Sequence, residues 1–451
     1  EDVGQWLWAH GRQPMELLAA ARVFMLLGVT LALTAAAWFA TRLIGVPAAL
    51  LGFLLIASDP FHIALTRLLH LDGLVSSLML LSLLAFLSYL HRGRRRLDLV
   101  ISAIAAGAAC LTKSPAIFLA PFATLLVLLE LWSKSRAAGR LDRAALVWGV
   151  QSLLLWALLS LAVFVLLWPA MWVAPLNAVT QIVSDAARYS TEGHDSPLFF
   201  DGAVVDGDPG LHFYPITYLW RTTPPVLLGL LLAATLGPGA GRWLLPTELR
   251  IAGRLVLFVA FFTLFLSLPA KKFDRYLLPV YPPADLVAAL GWLAAGRWLQ
   301  ARIPALTRSA VPAMAFLAVA GQAACAAPAY PYYLSYYNPF VGGTPRAPAV
   351  MMVGWGEGLD QVARTLDALP NAEQLRVVSE YERGPLSYLF RGKALSPRTG
   401  DNANPDYRIV YINEIQRLED PRELAYLAGR TPVQVVRIQG LEYALLYRLR
   451  E

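Results

Sequence analysis

The chain is 451 residues long, 57% hydrophobic and only 15% charged, with a mean hydropathy of +0.51. Soluble domains carry about a quarter of charged residues, so this composition excludes an ordinary soluble enzyme and points to a membrane protein of many spans. The net charge of +7, from 38 basic and 31 acidic residues, then reflects membrane orientation and not a nucleic-acid partner. Cys110 and Cys325 both lie in apolar runs, so neither a disulfide framework nor a Cys-based metal site is indicated.

Residues 1–14 are polar and aromatic and contain no span. Apolar runs follow at 15–41, 46–58, 73–90, 98–112, 115–132, 145–170, 223–238, 252–269, 276–296 and 310–327, about ten spans in all. The second and fourth are short against the roughly 20 residues a span needs. The loops 91–98, 133–143, 241–250 and 296–308 are basic, and alternation of the runs puts all of them on one side. That side is expected to be cytoplasmic. The opposite side receives residues 1–14, 59–72, 171–222, 269–275 and everything after 328. An outer N-terminus implies one further span before residue 1.

The stretch DPFHIALTRLLHLD, Asp59 to Asp72, is polar between two apolar runs. Asp59 before Pro60 reads as a helix N-cap with proline at the first helical position. On the helix that follows, Asp59, Thr66, Arg67 and His70 share nearly one face and Phe61, Leu65 and Leu68 another. The expectation is a short amphipathic helix on the membrane surface that delivers Asp72 to the mouth of the next span. Asp72 either caps that span or serves as a carboxylate for a metal or a hydroxyl nucleophile. His62, Thr66 and His70, spaced by four, admit a metal site on paper but fit a solvated polar face better.

Lys113 stands alone in an outer turn between two spans. The outer loop 171–222 holds Asp185, Glu192, Asp195, Asp201, Asp206 and Asp208 against two cations, Arg188 and Arg221, and is expected to close over an acceptor near His194 and Asp195. Lys271, Lys272 and Arg275, followed by Tyr276, lie outside against the positive-inside bias. Snorkelling to headgroups would account for them; so would gripping a phosphate, with Arg as a fork and Lys as a point charge. Aromatics at Trp168, Trp172 and Tyr330–Tyr337 read as interface anchors. From about 345 the composition changes to short strands, at 350–353, 375–379, 407–413, 433–438 and 443–447, and helices at 357–369 and 413–428. Gly354 and Gly356 open a helix as a plain strand-to-helix turn.

The segments DPFHIALTRLLHLDGL, GAACLTKSPAIFLAPF and AKKFDRYLLPVYPP resemble the protein O-mannosyltransferase and aminoarabinose-transferase group of the GT-C glycosyltransferases. The resemblance covers roughly 15–340, and the tail from YYLSYYNPFVGG and MMVGWGEGLD is similar to outer domains on bacterial members. It implies a polyprenyl-phosphate sugar donor, an active site on the outer face of the plasma (inner) membrane, and inversion at the anomeric carbon. It also implies a catalytic carboxylate in the first outer loop, where Glu1 and Asp2 are the candidates, and an assisting acidic residue at Asp72. No nucleotide loop is required.

The reading is therefore an all-α polytopic GT-C domain, 1–340, carrying a small extracytoplasmic α/β domain, 341–451. Arg67, Lys113, Lys271, Lys272, Arg275 and Tyr276 are expected at the lipid phosphate, with Asp72 and Asp2 catalytic. No metal ligands are assigned, although a divalent metal is admitted as a cofactor. The acceptor is a hydroxyl or amine on protein, lipid or glycan. The alternative is a transporter or flippase for an anionic lipid or solute.

Overall fold

The computed structural model describes residues 2–139, 142–192, 196–237, 243–399 and 404–450. Helix α1 (Val3–Ala9) precedes α2 (Pro14–Ile44), α3 (Val46–Ser58), α4 (Pro60–Thr66), α5 (Leu71–His91), α6 (Arg96–Thr112), α7 (Leu119–Ala138) and α8 (Arg143–Leu167). Next come α9 (Ala170–Val173), α10 (Pro175–Thr191) and a hairpin of β1 (Leu198–Phe200) and β2 (Ala203–Val205). The bundle is completed by α11 (Phe213–Arg221), α12 (Pro224–Leu236), α13 (Pro246–Ser267), α14 (Tyr281–Arg302) and α15 (Ala310–Ala326). Proline in the first turn starts many of them, where its missing N–H costs nothing.

Each of the ten apolar runs forms a helix, but not each crosses a membrane alone. Among the described residues seven helices are long and apolar enough, or up to nine if two bent pairs count. The pairs are α3–α4, bent by 67° at Asp59, and α11–α12, bent by 111° at Thr222–Thr223. Helix α6, at 17 residues, is slightly shorter than a span. The apolar stretch of α5 is 89% buried and that of Asp274–Arg302 entirely so, whereas α8 is 11% buried. The first two are inner pillars, and α8 presents its apolar surface outward. The pillar α14 meets α12 backbone to backbone: a Cβ on Gly291 would lie 1.9 Å from the Gly229 carbonyl oxygen, an approach only small residues permit.

The basic loops gather at one end of the bundle. Arg94 and Lys134 both lie over the Trp148 ring, Arg42 pairs with Asp98 at 3.0 Å, and Arg297 reaches both Glu248 and the Trp243 carbonyl. At the other end sits a five-stranded sheet of β3 (Arg376–Val378), β4 (Lys393–Leu395), β5 (Tyr407–Tyr411), β6 (Gln434–Ile438) and β7 (Leu441–Arg448), in the order β4-β3-β5-β7-β6. Strand β3 runs parallel to β4 and β5, and β7 antiparallel to β5 and β6. Gln439 and Gly440, at φ +49° and +84°, turn the β6–β7 hairpin, a backbone that suits glycine at the second place.

Two expectations for this region are corrected. Residues 350–353 form no strand, only a single bridge from Met351 to Phe200 that ties the segment to β1. The helix expected over 413–428 is two, Ile412–Arg417 and Pro421–Ala428, because Leu418 at φ +54° ends the first and Asp420–Pro421 caps the second. Strand β4 was not anticipated. Helix α1 leans on the sheet region, with Gln5 Nε2 donating to the Ala394 carbonyl at 2.9 Å.

Candidate active site

Asp59 caps α4 as expected, its Oδ1 accepting from the His62 N–H at 2.7 Å. The helix it starts is not a surface helix. It has seven residues, and Pro60, Phe61, His62, Ala64 and Leu65 are buried. The amphipathic pattern breaks because α4 stops at Thr66, whose hydroxyl bonds back to the His62 carbonyl at 2.8 Å. His62, Thr66 and His70 therefore share no face, and the paper metal site dissolves.

The chain then turns so that His70 caps α5 and Asp72 falls in its first turn. Asp72 is 2% exposed. Its carboxylate receives the Lys113 ammonium, His70 Nδ1 at 2.8 Å and Arg275 Nε at 3.6 Å. Lys113 sits where α6 gives way to the short helix Ser114–Phe118, and Arg275 sits in the first turn of the helical segment leading into α14. Three turns far apart in sequence thus converge, at the start of α5, the end of α6 and the approach to α14. Burial, opposed by Asp72, holds the Lys113 ammonium below its ordinary value.

Aromatic rings wall the cluster. Lys113 lies 4.1 Å from the centre of the Tyr276 ring, and Arg275 lies 4.1 Å from Phe273 and 4.6 Å from Trp355. His70 meets Trp355 edge-on at 5.4 Å. Two cations against one carboxylate leave a formal positive excess within the cluster, which an anion would complement. Arg275 approaches Asp72 through Nε, and its guanidinium also lines a cavity of about 270 Å³. Across that cavity lie Trp355, Glu357, Glu380 and Arg417 from the segments around the sheet.

The other candidates go elsewhere. Arg67 lies over the Tyr333 ring at 5.3 Å. Lys271 lies 4.1 Å from the Tyr189 ring on α10, and fully buried Lys272 pairs with Asp208. Lys271 and Lys272 of the irregular segment 271–273 and Arg275 of the helical turn after it thus meet different groups, Tyr189, Asp208 and Asp72. Asp2 caps α1, accepting from the Gly4 N–H at 2.8 Å, and is not among the groups that contact Asp72. His194 and Asp195 lie outside the described residues.

The sequence pattern places His70 on a solvated polar face and singles out neither Trp355 nor Asp274. Asp274 is held by Arg221 at 2.8 Å and caps the Arg275 N–H at 2.7 Å, fixing the start of that turn. His70-x-Asp72 spacing was the only sequence signal for any of them. As a metal site the cluster fits poorly: His70 and Asp72 offer two ligands, and Lys113 and Arg275 occupy the same carboxylate.

No family model matches the chain, and no curated protein matches it. Among solved structures, ArnT from Cupriavidus metallidurans bound to undecaprenyl phosphate superposes with a TM-score of 0.50 at 14% identity, over 99% of this chain and 92% of that one. The chain has the GT-C fold. The same ArnT in the apo state gives a TM-score of 0.47 at 14% identity, over 99% of this chain and 91% of that one. An oligosaccharyltransferase from Archaeoglobus fulgidus in complex with zinc and sulfate gives 0.33 at 12% identity, over 88% and 57%. These last two superpositions are too loose to argue from.

Proposed function

We propose that this chain is a membrane glycosyltransferase that takes a sugar from a polyprenyl-phosphate donor and transfers it, with inversion, to an acceptor hydroxyl or amine. The reaction runs on the extracytoplasmic face of the plasma (inner) membrane, at the end of the bundle that carries the sheet. The observation that carries this reading is the convergence of Lys113 and Arg275 on buried Asp72 beside a cavity. The GT-C fold supports it, as does the capture of that ArnT with undecaprenyl phosphate.

The acceptor oxygen or nitrogen bonds to the anomeric carbon while the bond from that carbon to the phosphate oxygen breaks. The phosphate leaves with the electron pair, and the proton the acceptor gives up passes to solvent or to the departing phosphate. A phosphate is already a weak base and needs cations, not an acid, as its charge grows. Lys113 supplies a point charge and Arg275 a fork. Asp72, held by His70 and both cations, is a poor proton acceptor and acts as a positioning residue that keeps the cations aimed before the donor arrives. A transporter would put its charges near the middle of the spans; this cluster lies at helix ends.

The test is transfer from a polyprenyl-phosphate sugar by Lys113→Gln and Arg275→Gln at matched expression and melting. A loss of about a hundredfold or more supports the phosphate role. Rates within about threefold of the parent, under 1 kcal/mol, sink it.

A further inference from the structure

Helix α10 lies across the end of the bundle, with both of its ends tied to spans. Helix α8 stops before Trp168 and Pro169, and Trp172 of α9 turns back to donate its indole Nε1 to the Val165 carbonyl at 2.7 Å. Pro175 then starts α10. At the far end the Lys271 N–H donates to the Tyr189 carbonyl at 3.3 Å, and Lys271 stands just after α13 ends at Ser267. Spans α8 and α13 both begin in basic loops, at Arg143 and Pro246, so the ends that hold α10 are those on the sheet side. A helix of 17 residues, about 25 Å long, pinned at two span ends runs along a membrane surface and not through it.

Its sides meet three different surroundings. Ala178 is buried and Tyr189 meets Lys271, so that side rests on the protein. About a third of a turn away Leu176, Val179 and Val183 form a stripe, with Leu176 81% and Val183 62% exposed. The remaining side carries Asn177, Gln181 and Ser184, all exposed, and the Arg188–Asp185 pair at 3.2 Å. A helix packed on a protein in water needs only a packed side and a polar side. The stripe is a third face, and it continues a surface already described. Leu161, Leu166 and Leu167 are exposed on the outward-facing α8, and exposed Trp172 and Val173 lead from them to Leu176.

We propose that α10 is an in-plane membrane helix whose Leu176–Val179–Val183 stripe is seated among the acyl chains of the leaflet at the sheet end. The polar side then faces water and Trp172 sits at the headgroup level. Arg188 is the one cation in the α10 sequence and it is paired with Asp185, so apolar burial holds the helix down and attraction to anionic headgroups adds little. Through the contact of Tyr189 with Lys271 the leaflet sets the height of the segment that leads to Arg275. The inference stands on this surface and is independent of the transfer chemistry.

The experiment uses the full chain with Cys110→Ala and Cys325→Ala, in phosphatidylcholine nanodiscs, carrying one bimane-labelled cysteine. The positions are Leu176→Cys and Val183→Cys on the stripe, Asn177→Cys and Gln181→Cys on the polar side, and Leu161→Cys on α8 as the lipid-facing standard. All five side chains are at the surface, so the replacements should leave melting unchanged. Brominated phosphatidylcholine should quench the labels at 176 and 183 about threefold more than those at 177 and 181, and aqueous iodide should do the reverse. Equal iodide quenching at all four α10 positions puts the stripe in water and overturns the proposal. Labels at 176 and 183 that neither brominated lipid nor iodide reaches, while 161 is quenched by the lipid, mean that a second copy of the chain covers the stripe, and equally overturn it.

Discussion

The two ends of the bundle both bury carboxylates against cations, but they finish the arrangement differently. At the basic-loop end Asp98 is 1% exposed and accepts from Arg42 at 3.0 Å and Ser88 at 2.8 Å. Glu248 takes both terminal nitrogens of Arg297, at 2.6 and 2.8 Å, and also the Leu245 N–H. Charges there are matched one to one and joined through good hydrogen bonds. At the sheet end two cations face Asp72, and the Nε of Arg275 has no hydrogen-bond partner. A matched pair is a brace; a cluster with surplus charge beside a cavity is a place for something else to bind.

That contrast can be broken first at its strongest point. Asp98→Ala leaves the partly buried Arg42 without its carboxylate and the Ser88 hydroxyl without its acceptor, and should cost about 3 kcal/mol of stability, read as a large fall in detergent melting temperature. Wild-type stability would mean the pair is no brace. Lys113→Gln and Arg275→Gln should do the converse: about 2–4 kcal/mol added to the transfer barrier, with melting nearly unchanged. A fall in melting as large as that of Asp98→Ala would place both ends in the same structural class.

Asp72→Asn sharpens the assignment within the cluster. Asparagine keeps the shape and loses the charge, so the cations lose their aim; transfer should fall about tenfold to a hundredfold with the same pH profile. A pH profile that loses a carboxylate limb would instead make Asp72 the proton acceptor. Trp355→Ala comes next, because an aromatic face near a guanidinium is worth about 0.5–2 kcal/mol; donor affinity should drop severalfold. The smallest effect is expected at Arg67→Gln, where rates within about threefold would agree with its place over Tyr333.

The sequence showed the spans because apolar length is a local property, and each expected run is a helix. Asp72, Lys113, Arg275 and Tyr276, which the structure brings together, stand out in the sequence because charge at the ends of spans is unusual enough to notice. What stayed hidden depended on direction and on tertiary partners. Lys271, Lys272 and Arg275 look like one cluster until the backbone turns their side chains towards Tyr189, Asp208 and Asp72. The segment after Asp59 carries a helical pattern as far as His70, but Thr66 ends α4 and burial removes its polar face. Trp355 reads as turn material because its partners, Arg275 and His70, lie 80 and 285 positions away in the chain.

Trp355 also has a thermodynamic consequence. It touches both His70 and Arg275 while belonging to the stretch that leads into the sheet region. Whatever settles on Arg275 changes the free energy of Trp355 in place, and by reciprocity whatever holds or loosens that stretch changes the affinity at Arg275 by the same factor. The sheet region thus reaches the charge cluster through the Trp355 ring. An acceptor that binds against the sheet would tighten donor binding without touching the donor, and two substrates that must meet would each report the arrival of the other.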